Sequence, residues 1–148
     1  MKMMKSFYAG AALLVAATMA VPAAAQESPV KRGSVWVASR IDVQPGQTPA
    51  YTDHLATEWK KDMEWGKAQG YILSYRILST NNRRNDEPDI ILLVEYKDYG
   101  SIAERDAIDK RYNEAMKMDR YKTATGNLER QKMRIVMGST EYQEWIVK

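Results

Sequence analysis

The spacing of hydrophobic and polar positions changes several times along the chain, and each change marks an element. Residues 34–43 (SVWVASRIDV) alternate strictly, with Val35, Val37, Ile41 and Val43 on one face and Trp36, Ala38 and Arg40 on the other. A period of two predicts a strand. Gln44-Pro45-Gly46 then predicts a turn, and Thr48-Pro49 predicts an N-cap followed by a first-turn proline. Tyr51, Leu55, Trp59 and Met63 recur every fourth residue, with Gly66 on the same stripe, which predicts a helix to about Gln69 ended by Gly70. Residues 71–80 and 89–97 predict two further strands, joined by the polar run from Asn81 to Pro88 as an antiparallel hairpin. The near-continuous Ile, Leu and Val of the third strand predict burial on both of its faces.

Ser101-Ile102-Ala103-Glu104 has the form of a capping box and predicts the start of a second helix, with an inward stripe of Arg105, Ile108, Tyr112, Ala115, Met116 and Asp119. Residues 123–137 predict a further helix, capped near Asn127 and stopped at Gly138, and residues 141–148 a last strand. The order is β-α-β-β-α-(α)-β, a split β-α-β plan of the ferredoxin-like α+β class: a four-stranded antiparallel sheet with helices on one face. The other face carries Trp36, Ala38 and one row of the second and third strands. So apolar a surface predicts a cover, most economically a second copy of the chain in a homodimer.

This element order, the two-faced strands, the extra helix before the last strand and the length resemble the dimeric α+β barrel superfamily. Its members include antibiotic-biosynthesis-type monooxygenases, EthD-like proteins and the NIPSNAP group. The resemblance covers about residues 34–148. It implies a homodimer with a pocket in each subunit between the sheet and its two main helices. The monooxygenase relatives imply chemistry on polycyclic phenols with no metal or flavin, using pocket Trp, Asn and Tyr side chains. Haem-degrading relatives carry their histidine on the second helix, whereas His54 lies on the first. No haem, and no other cofactor, is therefore expected.

Composition narrows the picture further. The 148 residues include 22 Lys and Arg against 19 Asp and Glu, one His and no Cys. That length suits one domain. Without cysteine there is no disulfide scaffold, zinc ribbon, iron–sulfur cluster or thiol chemistry, and one histidine excludes a multi-histidine metal site within the chain. Residues 1–25 combine Lys2 and Lys5, an apolar stretch from Phe7 to Val21 and the small residues Ala23-Ala24-Ala25, the pattern of a secretory signal peptide. The expected organisation is thus a signal at 1–25, a flexible leader at 26–33 and one domain at 34–148, located in the periplasm or secreted. Removing Lys2 and Lys5 leaves 20 basic against 19 acidic residues, and such balance points away from nucleic acid and from anionic membranes. Arg83-Arg84 and the cluster Arg130, Lys132, Arg134 read as solvated faces. No glycine-rich phosphate loop, G-x-S-x-G or H-E-x-x-H pattern occurs.

Candidate chemistry concentrates on the first helix and on two strand arginines. His54 and Glu58 are one turn apart at the flank of the apolar stripe, with Asp62 and Trp65 beside them. An imidazole oriented by a carboxylate is a general base, so His54 and Glu58 are the candidate catalytic pair, with a surface ion pair as the plain alternative. A metal would need a third ligand such as Asp62, and none is expected. Arg40 and Arg76 sit mid-strand, where a charge needs a partner: a substrate oxyanion, or Glu95 and Asp42 on neighbouring strands. Trp36, Trp59, Trp65, Tyr71 and Tyr75 complete the candidate ligand-binding set. The expectation is an exported protein that binds a small apolar or aromatic molecule. The alternatives are a cofactor-independent monooxygenase-like enzyme using His54, and a structural or partner-binding homodimer without ligand.

Overall fold

The structure, a computed structural model, describes residues 27–148; the expected signal peptide lies outside the described residues. The elements follow in the order β1 (Val30–Val43), α1 (Thr48–His54), a π turn (Leu55–Trp59), α2 (Lys60–Ala68), β2 (Ile72–Ser79), β3 (Ile90–Tyr96), α3 (Ile102–Met116), α4 (Arg120–Met133) and β4 (Arg134–Val147). The ferredoxin-like order is present, with an antiparallel sheet arranged β2-β3-β1-β4 and helices on one face. The sheet is open, not a barrel: β2 and β4 are its two edges and do not pair with each other. The barrel expected from element order is thus corrected. An order of elements is a local property, whereas closure depends on strand tilt and stagger, which the order does not encode.

Alternation along β1 places the core as read. Val35 and Ile41 are buried on the helix side, opposite Tyr96 and Ile90 of β3. Helix α1, the π turn and α2 lie over that side and bury Tyr51, Leu55 and Gly66 respectively, three positions of the predicted stripe. The core cluster is Ile41, Tyr51, Leu55, Ile90 and Leu92, with Val43, Trp59 and Met133 packed against it. Each such buried side chain stabilises the fold by about 1.5–3 kcal/mol.

Several local expectations need correction. Helix α1 takes Gln47 as its N-cap, with no side-chain cap bond, so Thr48 is already helical. Along β3 only Ile90, Leu92 and Val94 are buried; Ile91 and Leu93 face the open side and are half-buried, because no second layer covers that side. The capping box at Ser101 and Glu104 is formed in full, yet α3 buries no residue. Of its expected inward stripe Ile108, Tyr112 and Met116 are half-buried, Arg105 and Ala115 are exposed, and Asp119 instead caps α4. Helix α4 starts at Arg120 and stops at Met133, and the segment from Arg134 onward is strand. Residues 134–137 are Arg-Ile-Val-Met, whose β-branched pair suits either state. Pairing with Asp42 and Val43 decides for strand. Gly138 does not stop a helix. It lies in β4 at φ +134°, where the register with β1 shifts between Arg40 and Ile41. Strand β1 begins at Val30, so part of the expected leader pairs with Trp145, Ile146 and Val147.

Candidate functional site

The flank of the first helix and the faces of α3 and α4 turned toward it hold the half-buried polar groups His54, Asp62, Tyr112 and Arg130. His54 ends α1 and stacks on the Tyr51 ring, with centroids 6.1 Å apart at 22°. Its i, i+4 spacing from Glu58 presumes a regular helix. The π turn at Leu55–Trp59 intervenes, and among the described residues no hydrogen bond joins the two side chains. Local i→i+5 bonding of this kind rotates the following side chains relative to those before it. Burial holds the His54 pKa below its ordinary value, and Arg130 and Arg134 push it down further, against the opposing pull of Glu58 and Asp62. A neighbouring carboxylate alone raises an imidazole pKa, so burial and the two arginines reverse the direction Glu58 would set.

Asp62 is engaged instead by Tyr112, whose Oη donates to its carboxylate at 2.7 Å. Burial raises the Tyr112 pKa strongly, and the hydrogen bond to Asp62 and the carboxylate charge add to the effect. The phenol is held as a donor. Its ring meets Trp65 edge-on at 5.2 Å, Trp65 meets Tyr71 at 6.1 Å, and Tyr71 stacks on Tyr96 at 6.3 Å. Trp59 meets Tyr75 edge-on at 5.2 Å, and Tyr75 Oη donates to Glu64 at 2.6 Å. Edge-on and offset rings of this kind attract through their quadrupoles. The result is a row of rings along the helix side of the sheet, polar at its tips.

Tyr51, in the core cluster against which Trp59 packs, meets an arginine. Arg134 Nη1 donates to Tyr51 Oη at 2.8 Å, and its guanidinium stands 5.5 Å from the ring centre. Burial raises the Tyr51 pKa, while Arg134 and Arg130 act in the opposite sense. Arg130 also donates to Asn127 Oδ1, one turn back on α4. Both arginines are half-buried, whereas Lys132 is exposed and pairs with Glu129 at 2.7 Å. The reading of this cluster as one solvated face is correct for Lys132 alone. In the helix expected at 123–137 the i, i+4 spacing puts both arginines on one face, but Arg134 already belongs to β4, so their meeting is set by the α4–β4 junction.

The other predicted ligand residues lie across the sheet. Trp36, Arg40 and Arg76 belong to the open face, so Trp59, Trp65, Tyr71 and Tyr75 are separated from them by the strands. No single pocket joins the seven residues. The Arg76 guanidinium stands 6.0 Å over the Trp36 ring, and Arg40 Nη2 donates to the Asp86 carbonyl at 2.6 Å. Their expected acidic partners are taken by other groups. Asp42 pairs with Arg83 at 2.8 Å, while Glu95 accepts from Ser34 Oγ at 2.8 Å and Ser74 Oγ at 2.6 Å. A groove of about 620 Å³ opens beside Arg40, lined also by Thr80, Asn82, Arg84, Pro88 and Ile91.

Among the described residues no three His, Asp or Glu side chains converge as metal ligands, and no helix is long and apolar enough to cross a membrane. Comparison with protein-family models, with curated proteins and with solved structures returns no match. The likeness to dimeric α+β barrels is therefore overturned on two grounds: the sheet is open, and no family supports it. The comparisons likewise lend no support to a signal peptide.

Proposed function

We propose that this chain is an exported binding protein for a small apolar or aromatic molecule, taken up between the sheet and its helices. The observation that carries this reading is the row of half-buried rings formed by Trp65, Tyr71, Tyr96 and Tyr112, beside two helices, α3 and α4, that bury no residue of their own. Rings that present an edge to one another leave faces available for a further ring. Helices held by few buried groups open at low cost. The apolar segment 7–21 supports the export part of the reading. The same proposal assigns the open sheet face, with Trp36, Ile91 and Leu93 half-buried, to a second copy of the chain; sedimentation velocity reads this directly.

The test is calorimetric titration with 2-naphthalenemethanol, a neutral aromatic probe. Saturable binding at one probe per chain, weakened by Trp65→Ala, supports the proposal. No heat up to the solubility of the probe refutes it and favours a ligand-free structural role. One observation favours a second reading, an enzyme with His54 as general base: a half-buried imidazole with a depressed pKa is neutral at pH 7, the state a base requires. Unchanged turnover of a bound substrate by His54→Ala would sink it.

A further inference from the structure

Arg134, the strand residue that follows α4, gives its backbone N–H to the Arg130 carbonyl and brings its guanidinium to Tyr51 of the Tyr51–His54 stack. Among the described residues neither guanidinium pairs with a carboxylate. Each is half-buried, where an uncompensated charge costs more than it does in open solvent. Arg134 uses one N–H on Tyr51 and Arg130 one on Asn127, out of five on each group. The acids nearest this place are committed or outweighed. Asp62 takes the Tyr112 proton donor, Glu58 is exposed, and at His54 both arginines act more strongly than either acid. Tyr112 meets Trp65 at α2, where it donates to Asp62, and α2 continues through the π turn from α1, so one continuous helix carries both the Tyr51–His54 stack and the ring row.

From this geometry we propose that Arg130 and Arg134 anchor the carboxylate of an aromatic acid, whose ring lies on the Trp65–Tyr112 end of the aromatic row. The proposal rests on the binding reading above and names its ligand class. A planar guanidinium fork matches the two oxygens of a carboxylate, and a pair of them holds it in one orientation. The neutral His54 ring and the Tyr51 hydroxyl supply further donors beside the anion. A ligand of this class brings both halves of the site into use: charge at the α4 end, ring at the α2 end.

Calorimetry with the full chain separates the two claims. The probes are 2-naphthoate, the neutral 2-naphthalenemethanol and 2-naphthyl phosphate, tested on the native protein and on Arg130→Gln, Arg134→Gln and the exposed control Arg105→Gln. The anchor requires 2-naphthoate to bind at least about tenfold tighter than the alcohol. Arg130→Gln must remove most of that advantage and leave alcohol binding unchanged, and Arg105→Gln must change neither. Arg130→Gln is the decisive variant, because Arg134→Gln also strips the buried Tyr51 hydroxyl of its partner and can lower stability. Equal affinity for acid and alcohol overturns the anchor and leaves the binding reading standing. Tighter binding of the phosphate than of the carboxylate overturns the ligand class. Failure of all three probes overturns both claims.

Discussion

Gly66 faces the sheet from α2, and adding one methyl group there sets two effects of similar size against each other. An alanine Cβ would stand 2.5 Å from Ile72 Cδ1 and 3.0 Å from both Ile72 Cγ1 and Tyr71 Cζ. Carbon atoms at rest are about 3.5–4.0 Å apart, so the closest approach is about 1 Å too short. In a free helix Gly→Ala stabilises by about 0.8–1.0 kcal/mol. Here Ile72 is buried and Tyr71 is fixed between Trp65 and Tyr96, so the overpacking cost of about 1–3 kcal/mol has nowhere to relax. The balance predicts that Gly66→Ala destabilises the protein by about 1 kcal/mol. Ile72→Val removes the offending Cδ1; alone it costs about 0.5–1.5 kcal/mol, and in the Gly66→Ala background it should cost less or become favourable. Urea unfolding of the four proteins, compared at constant m, measures this coupling. If Gly66→Ala raises stability by the full helix-propensity gain, or Ile72→Val costs the same in both backgrounds, the packing argument is wrong.

Three further outcomes are expected. His54 has a folded pKa below the ordinary 6.5, so the unfolded state binds more protons and stability falls as pH drops through the window just below 6.5. His54→Gln should flatten that part of the pH profile, with urea midpoints at pH 7.5 and 5.5 as the measurement; equal slopes in both proteins would remove the argument for its burial. Ser101→Ala deletes the capping box of α3 at a cost of about 1 kcal/mol. Because α3 buries no residue, the loss should appear as faster amide exchange within 102–116 and only weakly in the global midpoint. Tyr112→Phe leaves Asp62 without its donor and should cost about 1.5–3 kcal/mol by urea unfolding, while absorbance titration should lose one late-ionising phenol.

Much of the candidate site was legible only in part. The flank of His54, Glu58, Asp62 and Trp65 follows from helical spacing, and the structure places His54, Asp62 and Trp65 among partners there. Those partners, Tyr51, Tyr112, Arg130 and Arg134, come from three helices and a strand end more than fifty residues apart in some pairs, and no local period joins them. The direction of the His54 shift depends on burial and on Arg130 of α4 and Arg134 of β4, none of which the sequence neighbours Glu58 and Asp62 reveal.

What the chain dictates by itself is local: the alternation of β1, the buried stripe of Tyr51, Leu55 and Gly66, the Ser101–Glu104 box and the order of the elements. Each depends on residues within one or two turns, where backbone geometry fixes which side chains share a face. The tertiary structure decided the rest. Pairing with β1 turned residues 134–137 from helix into strand, and the sheet stayed open with β2 and β4 as edges. The strands divided the predicted ligand residues between two faces. These outcomes depend on contacts between distant segments, whose free energies exceed the small local preferences that a sequence displays.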